Sequence, residues 1–177
     1  HRRRHSFPTR RSSDLVTAQA IRNGLAMVEL PGRFQIVPGQ PALVFDVAHN
    51  AHAVAALTEN LDAMGFYPTT HVVFGAMADK DVAPMLARVG PLVDRWYFCD
   101  LPTERAAKAT QLQDVWQASN TRQDVQASTY ANPQAALDAA VAAADPADRI
   151  VVFGSFFTVG GILANGIPRL DAPHLSS

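Results

Sequence analysis

Four short apolar runs constrain this chain more than any other feature: Ala42-Leu43-Val44-Phe45, Val72-Val73-Phe74, Trp96-Tyr97-Phe98-Cys99 and Ile150-Val151-Val152-Phe153. None alternates with polar residues, so a strand built from any of them has no face suited to water. Strands buried on both faces belong to sheets with a helix layer on each side. Between the runs the period lengthens. Val54, Leu57, Leu61 and Met64 recur at helical spacing, as do Val82, Met85, Leu86 and Val89, then Leu112, Val115 and Trp116, then Leu137 and Val141. Crossovers of that length suit parallel strands and are too long for hairpins.

Phe34 to Val37 adds a short edge strand, and Val125, Ala127 and Thr129 alternate as a further strand. Asn132-Pro133 marks a helix start, a cap followed by proline at the first helical position. Pro84 falls in the first turn of its helix, where it is tolerated. The pattern predicts an α/β fold: a mostly parallel, Rossmann-like sheet of about six strands with helices on both faces.

At 177 residues and 48% hydrophobic content, the chain can bury roughly 70% of its unfolded surface without disulfide staples. Its single cysteine, Cys99, sits inside an apolar run and suits a reducing, cytoplasmic setting. No apolar stretch approaches the ~20 residues of a membrane span. The formal charge of −1 hides an asymmetry: residues 1–15 hold five arginines and one acid, leaving ten basic and fifteen acidic residues elsewhere. That acidic body is a poor nucleic-acid surface. Residues 1–15 show no periodicity and resemble a foreign, disordered junction of the kind left at the end of a truncated sequence assembly. Residues 16–30 read as a remnant helix and interdomain linker, with Ile21 and Leu25 expected to be poorly packed. Residues 31–168 form the domain, and 169–177 a loose tail.

Polar groups gather where the apolar runs end. Asp46, His49 and Asn50 follow the first, Asp79, Lys80 and Asp81 the second, and Ser155 the last; Arg33 follows a Pro31-Gly32 turn. In parallel α/β sheets these carboxyl ends hold ligands, and the helix N-termini beside them favour phosphate or carboxylate. A plainer reading stands beside each. Asn50 and Ser155 can simply cap helices, Asp46 can satisfy turn donors, Arg33 can form a surface ion pair, and residues 79–81 can be solvated loop charges. The chain has neither a Gly-x-x-x-x-Gly-Lys-Ser/Thr cradle nor a Gly-x-Gly-x-x-Gly loop. Ser155 stands in no Gly-x-Ser-x-Gly elbow. His49 and His52 lack a third metal ligand nearby in sequence.

Leu30-Pro31-Gly32-Arg33-Phe34-Gln35, then Phe45-Asp46-Val47-Ala48-His49-Asn50, then Gly75 with Asp79-Lys80-Asp81, then Gly154-Ser155-Phe156 occur in that order, with Arg33 thirteen positions before Asp46. Together they resemble the C-terminal domain of bacterial bifunctional dihydrofolate synthase/folylpolyglutamate synthase, a neighbour of the Mur ligases, over residues 16–165. The resemblance implies an ATP- and Mg2+-dependent ligase. It phosphorylates a pteroate or folate carboxylate, and the amino group of L-glutamate then attacks the acyl phosphate. It also implies that an N-terminal ATPase domain acts in cis and carries the metal ligands, so that this chain folds as a monomer but does not turn over. Arg33 would contact ATP phosphates and Asp46 the nucleotide, through its ribose. His49 and Asn50 would stand near the acyl phosphate, with Ser155 and Lys80 as candidate substrate contacts. Two other readings remain: a Mur peptidoglycan ligase domain, and a non-catalytic Rossmann-like nucleotide-binding module.

Overall fold

The computed structural model describes residues 33–171. The expected junction at 1–15, the expected helix and linker at 16–30 with Ile21 and Leu25, residues 31 and 32, and residues 172–177 lie outside the described residues. Six strands are formed: β1 (Gln35–Val37), β2 (Ala42–Phe45), β3 (Thr70–Phe74), β4 (Arg95–Cys99), β5 (Gln126–Tyr130) and β6 (Arg149–Phe153). The helices are α1 (Ala51–Ala63), α2 (Val82–Val89), α3 (Ala109–Ser119), α4 (Pro133–Ala143) and α5 (Phe156–Leu163). The strand order is β1-β2-β6-β3-β4-β5. Only β1 runs antiparallel to its neighbour.

The period of two along each strand divides its side chains between two cores. Val44, Val72, Phe74, Trp96, Phe98, Val151 and Phe153 meet α1, α2 and α3 through Val54, Leu57, Leu61, Met85, Leu86 and Leu112. Leu43, Phe45, Val73, Tyr97, Cys99, Ile150 and Val152 meet α4 and α5 through Leu137, Ala140, Val159 and Ile162. Each large apolar side chain withdrawn from water in this way contributes about 1.5–3 kcal/mol, so the predicted two-sided burial also anchors the sheet. Asn132 caps α4 as its sequence suggests, its side chain accepting from the Ala135 N–H at 2.7 Å.

Two details differ from expectation. β5 alternates as expected, with Val125 buried just ahead of it and Ala127 packed on the first core, but Thr129 on the outermost strand of the sheet is exposed. The start of the expected loose tail is pinned. The Leu170 carbonyl accepts from the Gln40 N–H at 2.9 Å, and its side chain packs against the second core.

The last strand enters the middle of the sheet, between β2 and β3. The helix after β2 lies on one face and the helix after β6 on the other. The chain therefore departs in opposite directions from two adjacent strands, which opens a crevice at their carboxyl ends.

Candidate functional site at the carboxyl rim of the sheet

Asp46 stands at the mouth of this crevice, immediately after β2. Its Oδ1 accepts from the Ala48 N–H at 2.7 Å, and its Oδ2 accepts from the Phe34 N–H at 3.1 Å. The second bond ties the end of β2 to the residue following Arg33, so the acid and the guanidinium are carried on one structural knot. Phe34 is held at φ 38°, a left-handed conformation that costs a non-glycine residue ~1–2 kcal/mol; the Asp46 bond offsets part of that. Burial pushes the Asp46 carboxyl above its ordinary range, while the two backbone donors and the Arg33 charge pull it back.

The His49 ring is half-buried, with Nδ1 2.9 Å from the Val47 carbonyl oxygen. A carbonyl has no proton to give, so Nδ1–H is the donor and the neutral ring keeps its lone pair on Nε2. The ring lies beside Phe156, centroids 6.3 Å apart, which brings the ends of β2 and β6 together. Asn50 caps α1, its Oδ1 accepting from the Ala53 N–H at 2.8 Å.

Ser155 caps α5 in the same manner. Its Oγ accepts from the N–H groups of Phe157 at 3.0 Å and Thr158 at 3.3 Å. Gly154, just before it, sits at φ +120°, and a Cβ there would collide with the Gly75 carbonyl and the Phe74 ring. Only glycine lets β6 end so close to β3. Lys80 occupies the loop after β3, half-buried, with Nζ 3.9 Å from the Asp79 carboxylate.

The structure thus brings Arg33, Asp46 and His49 to one strand end, and places Ser155 just past the end of the adjacent β6, one residue before the Phe156 that lies beside His49. Lys80 lies on the β3 side of the same rim and pairs with its own loop. The plainer readings of Asn50 and Ser155 as caps are realised in the geometry; the Asn50 oxygen accepts a single N–H, whereas the Ser155 oxygen accepts two and has only its proton left to give. Sequence reasoning quoted Phe156 within the Gly154-Ser155-Phe156 motif without a role, although it is exposed against His49, and passed over Thr158, fully buried behind Ser155. The Phe156-Phe157 pair following Gly154-Ser155 was a signal for the first; a lone threonine in an apolar helix gave none for the second. Among the described residues no three His, Cys, Asp or Glu side chains are grouped to hold a metal ion. A cavity of about 330 Å3 lined by Trp96, Trp116 and Arg122 lies between α2 and α3 and includes none of these groups.

Comparison with known proteins gives the family. Residues 32–156 match the family model described as Mur ligase, glutamate ligase domain. The dihydrofolate synthase/folylpolyglutamate synthase of Escherichia coli strain K12 is 40% identical over 148 residues, covering 84% of this chain and 33% of that protein. The enzyme of that description from Buchnera aphidicola of Schizaphis graminum is 32% identical over 149 residues, covering 84% of this chain and 34% of its own. The chain therefore spans about a third of the length of these relatives. Among solved structures, Escherichia coli FolC in complex with DHPP and ADP superposes with a TM-score of 0.73 at 38% identity, over 86% of this chain and 35% of that one. A bifunctional folylpolyglutamate synthase/dihydrofolate synthase with Mn, AMPPNP and L-glutamate bound gives 0.70 at 37%, over 86% and 36%. Mycobacterium tuberculosis folylpolyglutamate synthase complexed with ADP gives 0.72 at 27%, over 87% and 36%. With most of its length inside the family model and its fold shared with these enzymes, the chain belongs to the Mur ligase, glutamate ligase domain family.

Proposed function

We propose that this chain is the domain of an ATP-dependent ligase that closes over the nucleotide and receives L-glutamate. The whole enzyme would join glutamate to dihydropteroate, tetrahydrofolate or both through an acyl phosphate. The observation that carries this reading is the meeting of Arg33, Asp46 and His49 at one strand end beside Ser155, at the switch point of the sheet. Relatives of the same fold hold ADP, AMPPNP with Mn, and L-glutamate.

The chemistry has two steps. A substrate carboxylate oxygen attacks the γ-phosphorus of ATP and ADP leaves; the glutamate nitrogen then attacks the acyl carbon and phosphate leaves. Phosphoryl transfer asks for positioning and charge neutralisation more than for a protein nucleophile. Arg33 supplies charge against the phosphates, and Asp46, with lone pairs remaining on both oxygens, accepts from the nucleotide's ribose. The attacking amine must shed a proton, and the Nε2 lone pair of His49, fixed by the Nδ1–H bond to Val47, is placed to take it. Asn50 holds α1 in register beside that ring, and Ser155 and Lys80 serve the glutamate side. Closure of this rim over a nucleotide held elsewhere excludes the water that would hydrolyse the acyl phosphate.

On this reading Mg2+ and its ligands belong to an N-terminal ATPase domain acting in cis, and no step here runs through the metal. The 31–168 domain, preceded by a linker, works as part of a cytoplasmic monomer. The buried thiol of Cys99 suits that compartment, and no helix among the described residues is long and apolar enough to cross a membrane.

The test is to join residues 31–177 to an upstream ATPase domain and assay glutamate ligation to dihydropteroate, tetrahydrofolate and a muropeptide. Folate-dependent ligation is expected, and His49→Ala should lower kcat by ~10²-fold or more. The 177-residue chain alone should show no turnover. Ligation by that chain alone, or with the muropeptide only, overturns the reading.

A further inference from the structure

Thr158 lies in the first turn of α5, wholly buried. Its Oγ1 donates to the Gly75 carbonyl at 2.8 Å, and stands 3.4 Å from the Ser155 Oγ. That single hydroxyl proton is committed to Gly75, so towards Ser155 the threonine oxygen can only accept. Ser155 in turn receives the Phe157 and Thr158 N–H groups on its oxygen. Its own proton is then free to point towards Thr158, across a long 3.4 Å gap, or out towards a ligand. The resting partner is weak by distance, and a carboxylate oxygen arriving at the rim would take the proton at little cost.

The same threonine sets where that hydroxyl sits. Gly75 ends β3 and Gly154 ends β6, packed so closely that a Cβ on Gly154 would strike the Gly75 carbonyl, while one on Gly75 would press on the Thr158 Oγ1 and the Cys99 thiol. The Thr158–Gly75 bond is the polar link across this junction. It locks the first turn of α5, and with it Ser155, to the neighbouring strand.

We propose that Thr158 is a positioning residue: by bonding the Gly75 carbonyl it orients the Ser155 hydroxyl as a donor to a carboxylate of the incoming amino acid. This rests on the reading of Ser155 as a contact to glutamate. Thr158→Val keeps the shape and removes the hydroxyl; Thr158→Ser keeps the hydroxyl. In the 177-residue chain, amide hydrogen exchange at Phe157 and Thr158 should quicken about tenfold in Thr158→Val and return to the parent rate in Thr158→Ser. In the two-domain ligase, Thr158→Val should raise the glutamate KM about tenfold with kcat within about twofold, and Thr158→Ser should restore it. Ser155→Ala should raise the same KM, and the double variant Ser155→Ala with Thr158→Val should be no worse than Ser155→Ala alone. An unchanged glutamate KM in Thr158→Val, or fully additive effects in the double variant, overturns the positioning role. An unchanged KM in Ser155→Ala instead overturns the Ser155 contact itself, and the positioning role with it. The two failures are therefore told apart by which single variant is silent.

Discussion

The two ends of the sheet carry similar polar residues and use them in opposite ways. At the amino end, His71 stands between the Asp148 carboxylate, 3.2 Å from Nε2, and the Tyr97 hydroxyl, 3.0 Å from Nδ1. Asp148 also accepts from the Asp145 N–H at 2.8 Å. Arg149 donates to the Thr70 hydroxyl at 3.1 Å and the Leu61 carbonyl at 2.7 Å, with its guanidinium over the Tyr67 ring. His71, Asp148, Arg149 and Thr70 are all buried, and each is hydrogen-bonded within the protein. At the carboxyl end, Asp46 and His49 are only half-buried. Asp46 uses one donor per oxygen, His49 keeps the Nε2 lone pair, and Ser155, though buried, has only a long 3.4 Å contact with Thr158 for its proton. A closed network holds strands together; an open one has capacity left for a ligand.

The widest contrast lies in activity. In the two-domain ligase Arg33→Ala is expected to cost ~10³-fold in kcat, the scale of an arginine acting on transferring phosphate, with thermal stability unchanged. A loss under tenfold would remove Arg33 from the phosphates and weaken the division between the two ends.

Gly154→Ala should bridge the division by harming both stability and function. It forces a Cβ into the Gly75 carbonyl at a positive φ, and ~2 kcal/mol or more of unfolding free energy should be lost in urea titration. Tolerance of alanine there would mean that β3 and β6 can part without consequence.

At the amino end His71→Leu should cost ~1–3 kcal/mol at pH 7.5 by stranding Asp148 and Tyr97, with ligase kcat preserved in the folded fraction. It should also remove a pH dependence. Burial pushes the His71 pKa below its ordinary 6.5 despite the Asp148 carboxylate beside it, so the unfolded chain takes up a proton first. The corresponding stability is fully present above about pH 6.5 and is lost as pH falls below it. Asp46 has the opposite sign: its raised carboxyl pKa gives stability that is present below the ordinary 3.8 and lost as pH rises through the folded value. Urea titrations at pH 7.5 and 5.5 on parent and His71→Leu check the first; an equal change of unfolding free energy between the two pH values in both proteins would show that folding does not shift the His71 pKa.

The smallest effect is expected at Asn50. Replacing this cap by alanine should cost ~1 kcal/mol of stability, read as a shift of the urea midpoint. A drop in kcat larger than tenfold beyond that would place Asn50 at the reacting groups as well as at the helix end.

Much of this was legible along the chain. Fully apolar runs named the central strands, helical spacing named α1 to α4, polar residues at run ends singled out Asp46, His49 and Ser155, and a Pro-Gly turn singled out Arg33. The amino-end network was not legible, because His71 and Arg149 border apolar runs and their partners lie 77 and 79 residues away in sequence. Thr158 was hidden for the same reason, its carbonyl partner standing 83 residues away.

By itself the sequence determined the elements and their faces, since periodicity and turn residues act within a dozen positions. Tertiary structure alone decided that β6 inserts between β2 and β3, that Asp46 grips the backbone beside Arg33, and that Thr158 reaches Gly75. Those outcomes depend on register between distant segments, where burial on both faces and the need to pair every buried polar group select one arrangement among many that share the same local pattern.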